Sequence, residues 1–350
     1  MALLVVLLLA TSCTSRSEPV ASSSSVRAGP SAPNDESCRG LGLGSAEGQV
    51  TWVANNQLVD ETGCLLRLQR SGPIFGWGGK ADRVVVGDVV AVEGGRPLPP
   101  LPGGNLSLSR PTGTSLLQVN KEGELWKRNL ETKENQKISF MAEHEAVAYH
   151  PAGHHIVSSG RTSNGEPALV IADNQGRDPR PLLEIEEAKE VANPTFTASG
   201  ALLYTADHGN RVDLHRLEIG SDKFSTIVSV KKPSKIGDVT ASPFPDGGVA
   251  WTTGDCASRQ RPSLIAEQGG AFLELKGTEA EHARPVGWLP DGSLVAISGQ
   301  ICDRATTGKL LVVRGQAVEV IANRVTTAAV RAVLPPPPPP PQNIPQQAPA

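Results

Sequence analysis

Short apolar segments alternate with polar turns through most of the chain. In one stretch, the apolar residues Ala146–Tyr149 precede the turn Pro151-Ala152-Gly153, and His155–Val157 follow it. A polar loop then leads to the apolar run Ala168–Ala172, and the turn Asp173–Gly176 comes next. Apolar runs of this length, bounded by proline, glycine, asparagine and aspartate, predict β-strands joined by tight turns. We therefore expect an all-β protein.

The turn that precedes the second strand of this stretch recurs along the chain. Its closing glycines are Gly79, Gly113, Gly153, Gly200, Gly247 and Gly292, which follow one another at intervals of 34, 40, 47, 47 and 45 residues. Repeats of about 40–50 residues that hold several strands each are typical of propeller blades. We predict a six-bladed β-propeller over residues 38–325, because a two-sheet sandwich would not repeat the same turn six times.

Three segments carry a resemblance to a known family. The segments Phe244–Gly247 and Trp288–Ala296 each contain a Pro-Asp-Gly turn, and Ala168–Leu182 has the composition of the second half of the same repeat. These segments resemble the WD40-like repeat of the TolB type. The resemblance implies a six-bladed propeller that works in the bacterial envelope and makes protein–protein contacts. It does not imply the partners of TolB itself.

The two ends of the chain differ from this body. Ala2–Ala10 is an apolar run of nine residues, and small residues lead from it to Cys13, as in the lipobox of bacterial lipoproteins. We predict a signal peptide over 1–12, lipidation of Cys13 and a flexible Ser-rich tether over 13–37. An ordinary cleaved signal with an incidental cysteine is the alternative. Residues 326–350 contain seven consecutive prolines and predict a disordered tail.

The cysteine count is consistent with an oxidising compartment. Setting aside Cys13 leaves Cys38, Cys64, Cys256 and Cys302, an even number that allows three pairings. Cys256 and Cys302 follow their repeat glycines by nine and ten residues, so the repeat register places them in equivalent loops of adjacent blades. This register favours a Cys256–Cys302 disulfide, and Cys38 and Cys64 then pair by elimination.

The sequence offers little catalytic chemistry. The chain contains no Gly-x-Ser-x-Gly nucleophile elbow and no Gly-x-Gly-x-x-Gly phosphate loop. The cysteine spacing is unsuited to zinc, so we expect no metal and no cofactor. The net charge of −3 argues against nucleic acid as a partner. The longest apolar run is far shorter than the roughly 20 residues of a membrane span, so we expect no membrane-spanning segment. An enzyme would need carboxylates in the central channel, for which Asp238, Asp255 and Asp303 are candidates.

We therefore expect a non-catalytic protein of the cell envelope that binds or scaffolds protein partners and meets the membrane through its N-terminal lipid alone. The alternative is an envelope enzyme or a carbohydrate-binding propeller with its site in the central channel. Loops between second and third strands share one face of a propeller and supply the candidate partner-binding residues. These are Arg161, Asp207, His208, Arg211, Asp255, Arg259, Arg261, Asp303 and Arg304. An ordinary solvated rim is the competing interpretation of this set.

Overall fold

The alternating apolar segments form antiparallel strands throughout the part of the chain that the structure describes. The structure is a computed structural model that describes residue 38 and residues 49–69, 74–77, 83–86, 89–92, 105–108, 113–138, 140–183, 188–220, 224–244, 248–254, 263–275, 282–299 and 307–331. The predicted signal peptide, Cys13, the whole of the predicted tether and all of the predicted tail after residue 331 lie outside these ranges. Within them, no helix is long and apolar enough to cross a membrane.

The strands fall into seven consecutive groups along the chain. The first groups are β1 (Val50–Ala54), β2 (Gln57–Asp60) and β3 (Gly63–Arg67), then β4 (Ile74–Trp77), β5 (Arg83–Val86) and β6 (Val89–Val92), then β7 (Asn105–Leu108), β8 (Ser115–Val119), β9 (Leu125–Asn129) and β10 (Asn135–Ile138). The next are β11 (Glu143–Tyr149), β12 (His155–Arg161), β13 (Pro167–Asp173) and β14 (Arg180–Leu183), then β15 (Glu190–Phe196), β16 (Leu202–Asp207), β17 (Arg211–Leu217) and β18 (Phe224–Lys231). The last are β19 (Lys235–Ala241), β20 (Val249–Gly254), β21 (Ser263–Gln268) and β22 (Ala271–Glu274), then β23 (Arg284–Trp288), β24 (Leu294–Ser298), β25 (Gly308–Arg314), β26 (Ala317–Val325) and β27 (Thr327–Val330).

Each group forms one antiparallel sheet, except that β27 pairs with the strands of the first group, and we number the sheets 1 to 7 in chain order. Sheet 1 has the order β27–β1–β2–β3, sheet 2 contains β4–β5–β6, and sheets 3 to 7 each follow chain order. The inner strands β27, β4, β7, β11, β15, β19 and β23 contact one another in that sequence, and β23 returns to β27. A closed ring of sheets is a β-propeller. The predicted propeller is thus confirmed, with six four-stranded blades, and sheet 2, which has three strands among the described residues, lies between sheets 1 and 3 in the ring.

The predicted turns account for six of the seven sheets. Gly113, Gly153, Gly200 and Gly292 stand between first and second strands with φ angles of 69°, 74°, 88° and 80°. Glycine adopts this left-handed backbone without the steric cost that a Cβ atom brings, which explains why the turns end in glycine. Gly79 and Gly247 lie outside the described residues, between β4 and β5 and between β19 and β20 in the sequence.

Sheet 1 closes the ring and has no copy of the repeated turn. Its strands β1 and β2 are joined by Asn55 and Asn56, which have φ angles of 51° and 58°, as in a two-residue hairpin loop. Its inner strand β27 pairs with β1, with Thr51 opposite Ala329. The sequence places residues 327–330 in the tail at 326–350, but they form β27, so the propeller extends beyond residue 325.

The core consists of apolar layers between neighbouring sheets. One layer packs Val157, Leu169 and Ile171 of sheet 4 against Leu202 and Tyr204 of sheet 5. Another packs sheet 5 against sheet 6 around the fully buried Trp251. Sheet 5 is therefore covered on both faces, and the hydrophobic effect holds it between its two neighbours in the ring. The loops at the two ends of the sheets are therefore carried on a rigid frame.

Gly160 lets the start of β11 approach β12 closely. A Cβ atom at Gly160 would lie 2.0 Å from the backbone oxygen of Glu143, so Gly160→Ala requires the backbone to shift. We expect this substitution to lower the free energy of unfolding by about 2 kcal/mol, the usual cost of overpacking. At Gly237 the nearest atom to an added Cβ is the Thr252 hydroxyl at 3.3 Å, a side-chain atom that must shift by only a few tenths of an ångström, so Gly237→Ala is the matched control with the smaller expected loss. Urea unfolding of both variants checks this, and equal stability losses would contradict the close approach.

Candidate functional site

The loops between second and third strands and the first residues of the inner strands lie at the same end of the sheets. This follows from the antiparallel order, in which the second strand returns to the end where the first began. We call this end the loop face. Arg161, Asp207, His208 and Arg211 lie there, in the β12–β13 and β16–β17 hairpins. The other predicted residues, Asp255, Arg259, Arg261, Asp303 and Arg304, lie outside the described residues and remain predictions.

Arg161 is held against a group of carboxylates. Its Nε lies 3.8 Å from Glu145 Oε1, and its Nη1 donates to the carbonyl oxygen of Gly165 at 3.0 Å. Burial raises the pKa of Glu145, the neighbouring charges of Glu190 and Glu143 raise it further, and Arg161 opposes them. Glu145 occupies the irregular position of β11 between His144 and Ala146. The sequence did not indicate this partner, because a strand irregularity decides where the side chain points.

Asp207 fixes a second cation on the loop face. Its Oδ2 lies 2.6 Å from Lys232 Nζ, and its Oδ1 accepts a hydrogen bond from the Gly209 N–H at 2.7 Å. Burial alone raises the pKa of Asp207, but the hydrogen bonds from Lys232 and Gly209 outweigh it and lower the pKa. Asp207 is therefore ionised at neutral pH and holds the lysine in place.

Two histidines and a carboxylate meet beside this ion pair. Asp213 and His215 lie two residues apart on β17 and share one side of the strand, while His208 follows the end of β16. His208 Nε2 lies 3.3 Å and His215 Nε2 lies 3.9 Å from Asp213 Oδ2. Arg211 Nε approaches the same oxygen at 3.0 Å. Burial raises the pKa of Asp213, but the hydrogen bonds from Ser229 and Arg211 more than offset this and lower it.

This cluster was missed by the sequence-based reasoning, which named His208 and Arg211 as partner-binding residues and expected no metal site. The available signal is the Asp-x-His pattern on a predicted strand, which places both side chains on one side, preceded by a histidine in the hairpin. His208, Asp213 and His215 offer ligand atoms that all lie within 4.8 Å of one another. They are the residues through which the described part of the chain can hold a metal ion.

Asp238, proposed from the sequence as a channel carboxylate, lies on the inner strand β19. It occupies an irregular position of the strand with a φ angle of 44°. Its side chain is exposed, yet surrounding protein raises its pKa by desolvation, and the charge of Arg284 on β23 opposes that rise. Asp255 and Asp303, the other two carboxylate candidates, lie outside the described residues.

A disulfide joins Cys38 to Cys64, with the two Cα atoms 5.4 Å apart. Cys64 lies on β3, so the bridge ties the segment before the propeller to sheet 1. Cys256 and Cys302 lie outside the described residues, and their pairing stays a prediction. A covalent link of this kind limits the freedom of the unfolded chain and so stabilises the folded state.

No protein-family model matches the chain, and no curated protein matches it. Among solved structures, oligogalacturonate lyase in complex with manganese has a TM-score of 0.54 at 11% identity, covering 72% of this chain and 78% of that chain. Puromycin hydrolase has a TM-score of 0.51 at 16% identity, covering 81% of this chain but only 53% of that chain. TolB from Acinetobacter baumannii has a TM-score of 0.49 at 15% identity, covering 81% of this chain and 66% of that chain. At these identities the likeness to the lyase and the hydrolase concerns the fold alone.

Proposed function

We propose that this chain is a non-catalytic protein of the bacterial cell envelope, anchored by a lipid on Cys13, whose propeller binds protein partners through the loop face. The observation that carries the proposal is that three partly exposed cations on this face are each held by a carboxylate. The pairs are Arg161–Glu145, Arg211–Asp213 and Lys232–Asp207. Cations fixed before binding lose little side-chain entropy when a partner arrives.

The fold adds support to a binding role. Sheets 4 and 5 present the three cations from adjacent positions of a rigid ring, so a partner meets a fixed pattern of charge. Complementary charge steers association and selects among partners. Arginine in particular forms several directional hydrogen bonds with carboxylates, and two of the three cations are arginines. An acidic surface on a protein partner fits this arrangement.

Charge reversal on the loop face tests the proposal. We would cross-link intact cells that express the tagged wild type, Arg161→Glu/Lys232→Glu or Arg177→Glu. The proteins that co-purify with each variant from the membrane fraction would then be quantified by mass spectrometry. Arg177 is exposed in the β13–β14 turn, at the opposite end of sheet 4, and serves as the matched control. We expect a small set of envelope proteins to fall about tenfold with the double variant and to persist with the control. A set that is unchanged in the double variant would contradict binding through this face.

The same cells test the anchor. Cys13→Ala should move the chain from the membrane fraction to the soluble fraction, because its lipid attachment site is lost. Retention of this variant in the membrane fraction would contradict lipidation at Cys13 while leaving the loop-face result intact.

The second candidate, an enzyme or a carbohydrate-binding propeller, rests on Asp238. A carboxyl whose pKa is raised by desolvation can act as a proton donor closer to neutral pH. This candidate requires binding or cleavage of an oligosaccharide that is lost in Asp238→Asn and retained in Arg161→Glu/Lys232→Glu. The loop-face proposal requires the opposite pattern for protein partners, so the two variants separate the candidates.

A further inference from the structure

Two imidazoles and a carboxylate of sheet 5 lie together between the β16–β17 hairpin at the loop face and the middle of β17. His208 Nε2, Asp213 Oδ2 and His215 Nε2 are close neighbours, with separations of 3.3 Å and 3.9 Å from the carboxylate oxygen to the two nitrogens. A metal ion at about 2.1 Å from each of three tetrahedral ligands places those ligands about 3.4 Å apart. Both separations from the carboxylate oxygen lie within about 0.5 Å of this spacing, and all three ligand atoms lie within 4.8 Å of one another.

Hydrogen bonds from the neighbouring strand orient two of these ligands. His215 Nδ1 lies 3.1 Å from the Thr226 hydroxyl on β18, and when Nδ1 donates to that oxygen, Nε2 presents its lone pair toward Asp213. Asp213 Oδ1 accepts a hydrogen bond from the Ser229 hydroxyl, which leaves Oδ2 on the side of the histidines. Partners of this kind, which fix the tautomer and the direction of a ligand, accompany metal-binding histidines and carboxylates.

The ring nitrogens of His208 are buried without hydrogen-bond partners among the described residues. The His208 side chain is only 12% exposed, and Nε2 lies beside the Asp213 carboxylate. Burying a polar group without a partner is unfavourable. A metal ion bonded to Nε2 removes that cost at one nitrogen and uses the carboxylate that Nε2 already faces.

When no metal ion is bound, Arg211 balances the charge of the Asp213 carboxylate. Its Nε lies 3.0 Å from Asp213 Oδ2, where it neutralises the carboxylate. Its side chain is 47% exposed, so the guanidinium is free to turn toward solvent when another cation takes its place. Arg211 and a metal ion then compete for one oxygen. Removing the guanidinium should therefore strengthen metal binding, whereas removing a ligand should weaken it.

We propose that His208, Asp213 and His215 form a binding site for a divalent transition-metal ion, best suited to Zn²⁺. Two imidazoles and one carboxylate are a donor set that zinc accepts, and three protein ligands leave a fourth position for water or for a group from a partner. The site is separate from the three ion pairs except at Asp213. A metal ion at Asp213 would displace Arg211 but leave the Arg161–Glu145 and Lys232–Asp207 pairs in place, so Arg161→Glu/Lys232→Glu tests partner binding separately from the metal site.

Metal titration of the purified chain without a histidine tag tests the site, after treatment with EDTA and alkylation of free thiols. Zn²⁺ would be titrated against a chromophoric chelator, and Co²⁺ would be added as a spectroscopic probe of tetrahedral coordination. We expect one Zn²⁺ per chain with a micromolar or lower Kd, a Tm that rises with Zn²⁺, and a Co²⁺ spectrum with tetrahedral bands.

Four variants distinguish the site from adventitious binding. His208→Ala and Asp213→Asn should weaken Zn²⁺ binding at least about tenfold, whereas Arg211→Met should strengthen it. His154→Ala is the control, because His154 is an exposed histidine in the turn between β11 and β12. The near-isosteric Asp213→Asn variant gives the result should His208→Ala fail to fold. Binding no tighter than millimolar, or binding that is equal in wild type, His208→Ala and Asp213→Asn, would overturn the site.

Discussion

Replacing Ala328 by aspartate is expected to destabilise the propeller strongly. Ala328 lies on β27, is 6% exposed and packs with Val50, Trp52 and Val295, so a carboxylate there is buried without a partner. An uncompensated buried charge costs about 3–5 kcal/mol, which for a domain of this size corresponds to a fall in Tm of about 10 °C. Because β27 is the inner strand of sheet 1, the loss falls on the sheet that closes the ring.

Ala317→Asp is the matched control for this substitution. Ala317 is exposed on β26, the outer strand of sheet 7, and β26 ends two residues before β27 begins. The same chemical change should therefore alter Tm by no more than about 1 °C, as surface substitutions usually do. Calorimetry of the two variants beside the wild type provides the comparison. Equal Tm values for Ala328→Asp and Ala317→Asp would show that β27 does not belong to the folded propeller.

Acidification below pH 6.5 is expected to destabilise the chain through two histidines of sheet 4. Burial lowers the pKa of His144 to about 4, and burial together with the charges of His155 and His154 lowers the pKa of His150 to about 4. In the unfolded chain these rings titrate near 6.5, so between the two values the unfolded state binds more protons than the folded state. The stabilisation is complete above about pH 6.5 and is lost as the pH falls toward 4. We expect roughly 2 kcal/mol to be lost from pH 7 to pH 5, after allowance for partial solvent exposure.

Denaturant unfolding of the wild type and of His144→Gln at several pH values measures this effect. His144 is 3% exposed and its Nδ1 lies 2.8 Å from the Ser158 hydroxyl, a contact that a glutamine side chain can partly replace. The substitution itself lowers stability at all pH values, so the informative quantity is the slope with pH. We expect a shallower slope in the variant between pH 5 and 6.5, and the same slope as in the wild type would contradict the buried neutral ring.

The local elements of the fold are readable from the sequence because their causes are local. The turns at Gly113, Gly153, Gly200 and Gly292 need a left-handed residue, and the apolar runs after them need a buried face. Both requirements are visible within about ten residues. This is why the strand hairpins, the repeat and the propeller fold follow from the pattern of residues alone.

The closing sheet is different because its inner strand comes from the other end of the chain. Thr51 and Ala329 pair across 278 residues, and Thr327–Val330 is a short segment without a turn signal of its own. Its strand conformation depends on the open edge of β1, which only the folded ring provides. The repeated turn therefore predicts six units, and the ring that the described residues form contains sheet 1 in addition to the sheets that carry this turn.

The candidate site was only partly predictable for a related reason. The repeat register placed Arg161, Asp207, His208 and Arg211 at one end of the sheets, where the structure has them. Which partner each of them meets depends on strand irregularities and on neighbouring strands. Glu145 reaches Arg161 from an irregular position of β11, and Lys232 reaches Asp207 across 25 residues. Such contacts carry no signature in the spacing of residues.

Hydrogen exchange at residues 327–330 is the most direct test of the closed ring. As an inner strand, β27 is bonded on one side to β1, so about half of its amides should exchange as slowly as those of β11, which is also an inner strand. Mass spectrometry of overlapping peptides across 320–335 and 140–152 gives both rates in one experiment. Protection of residues 327–330 comparable to that of β11 is the result that a ring closed by β27 requires. Exchange there as fast as in an unstructured peptide, with β11 still protected, would contradict it.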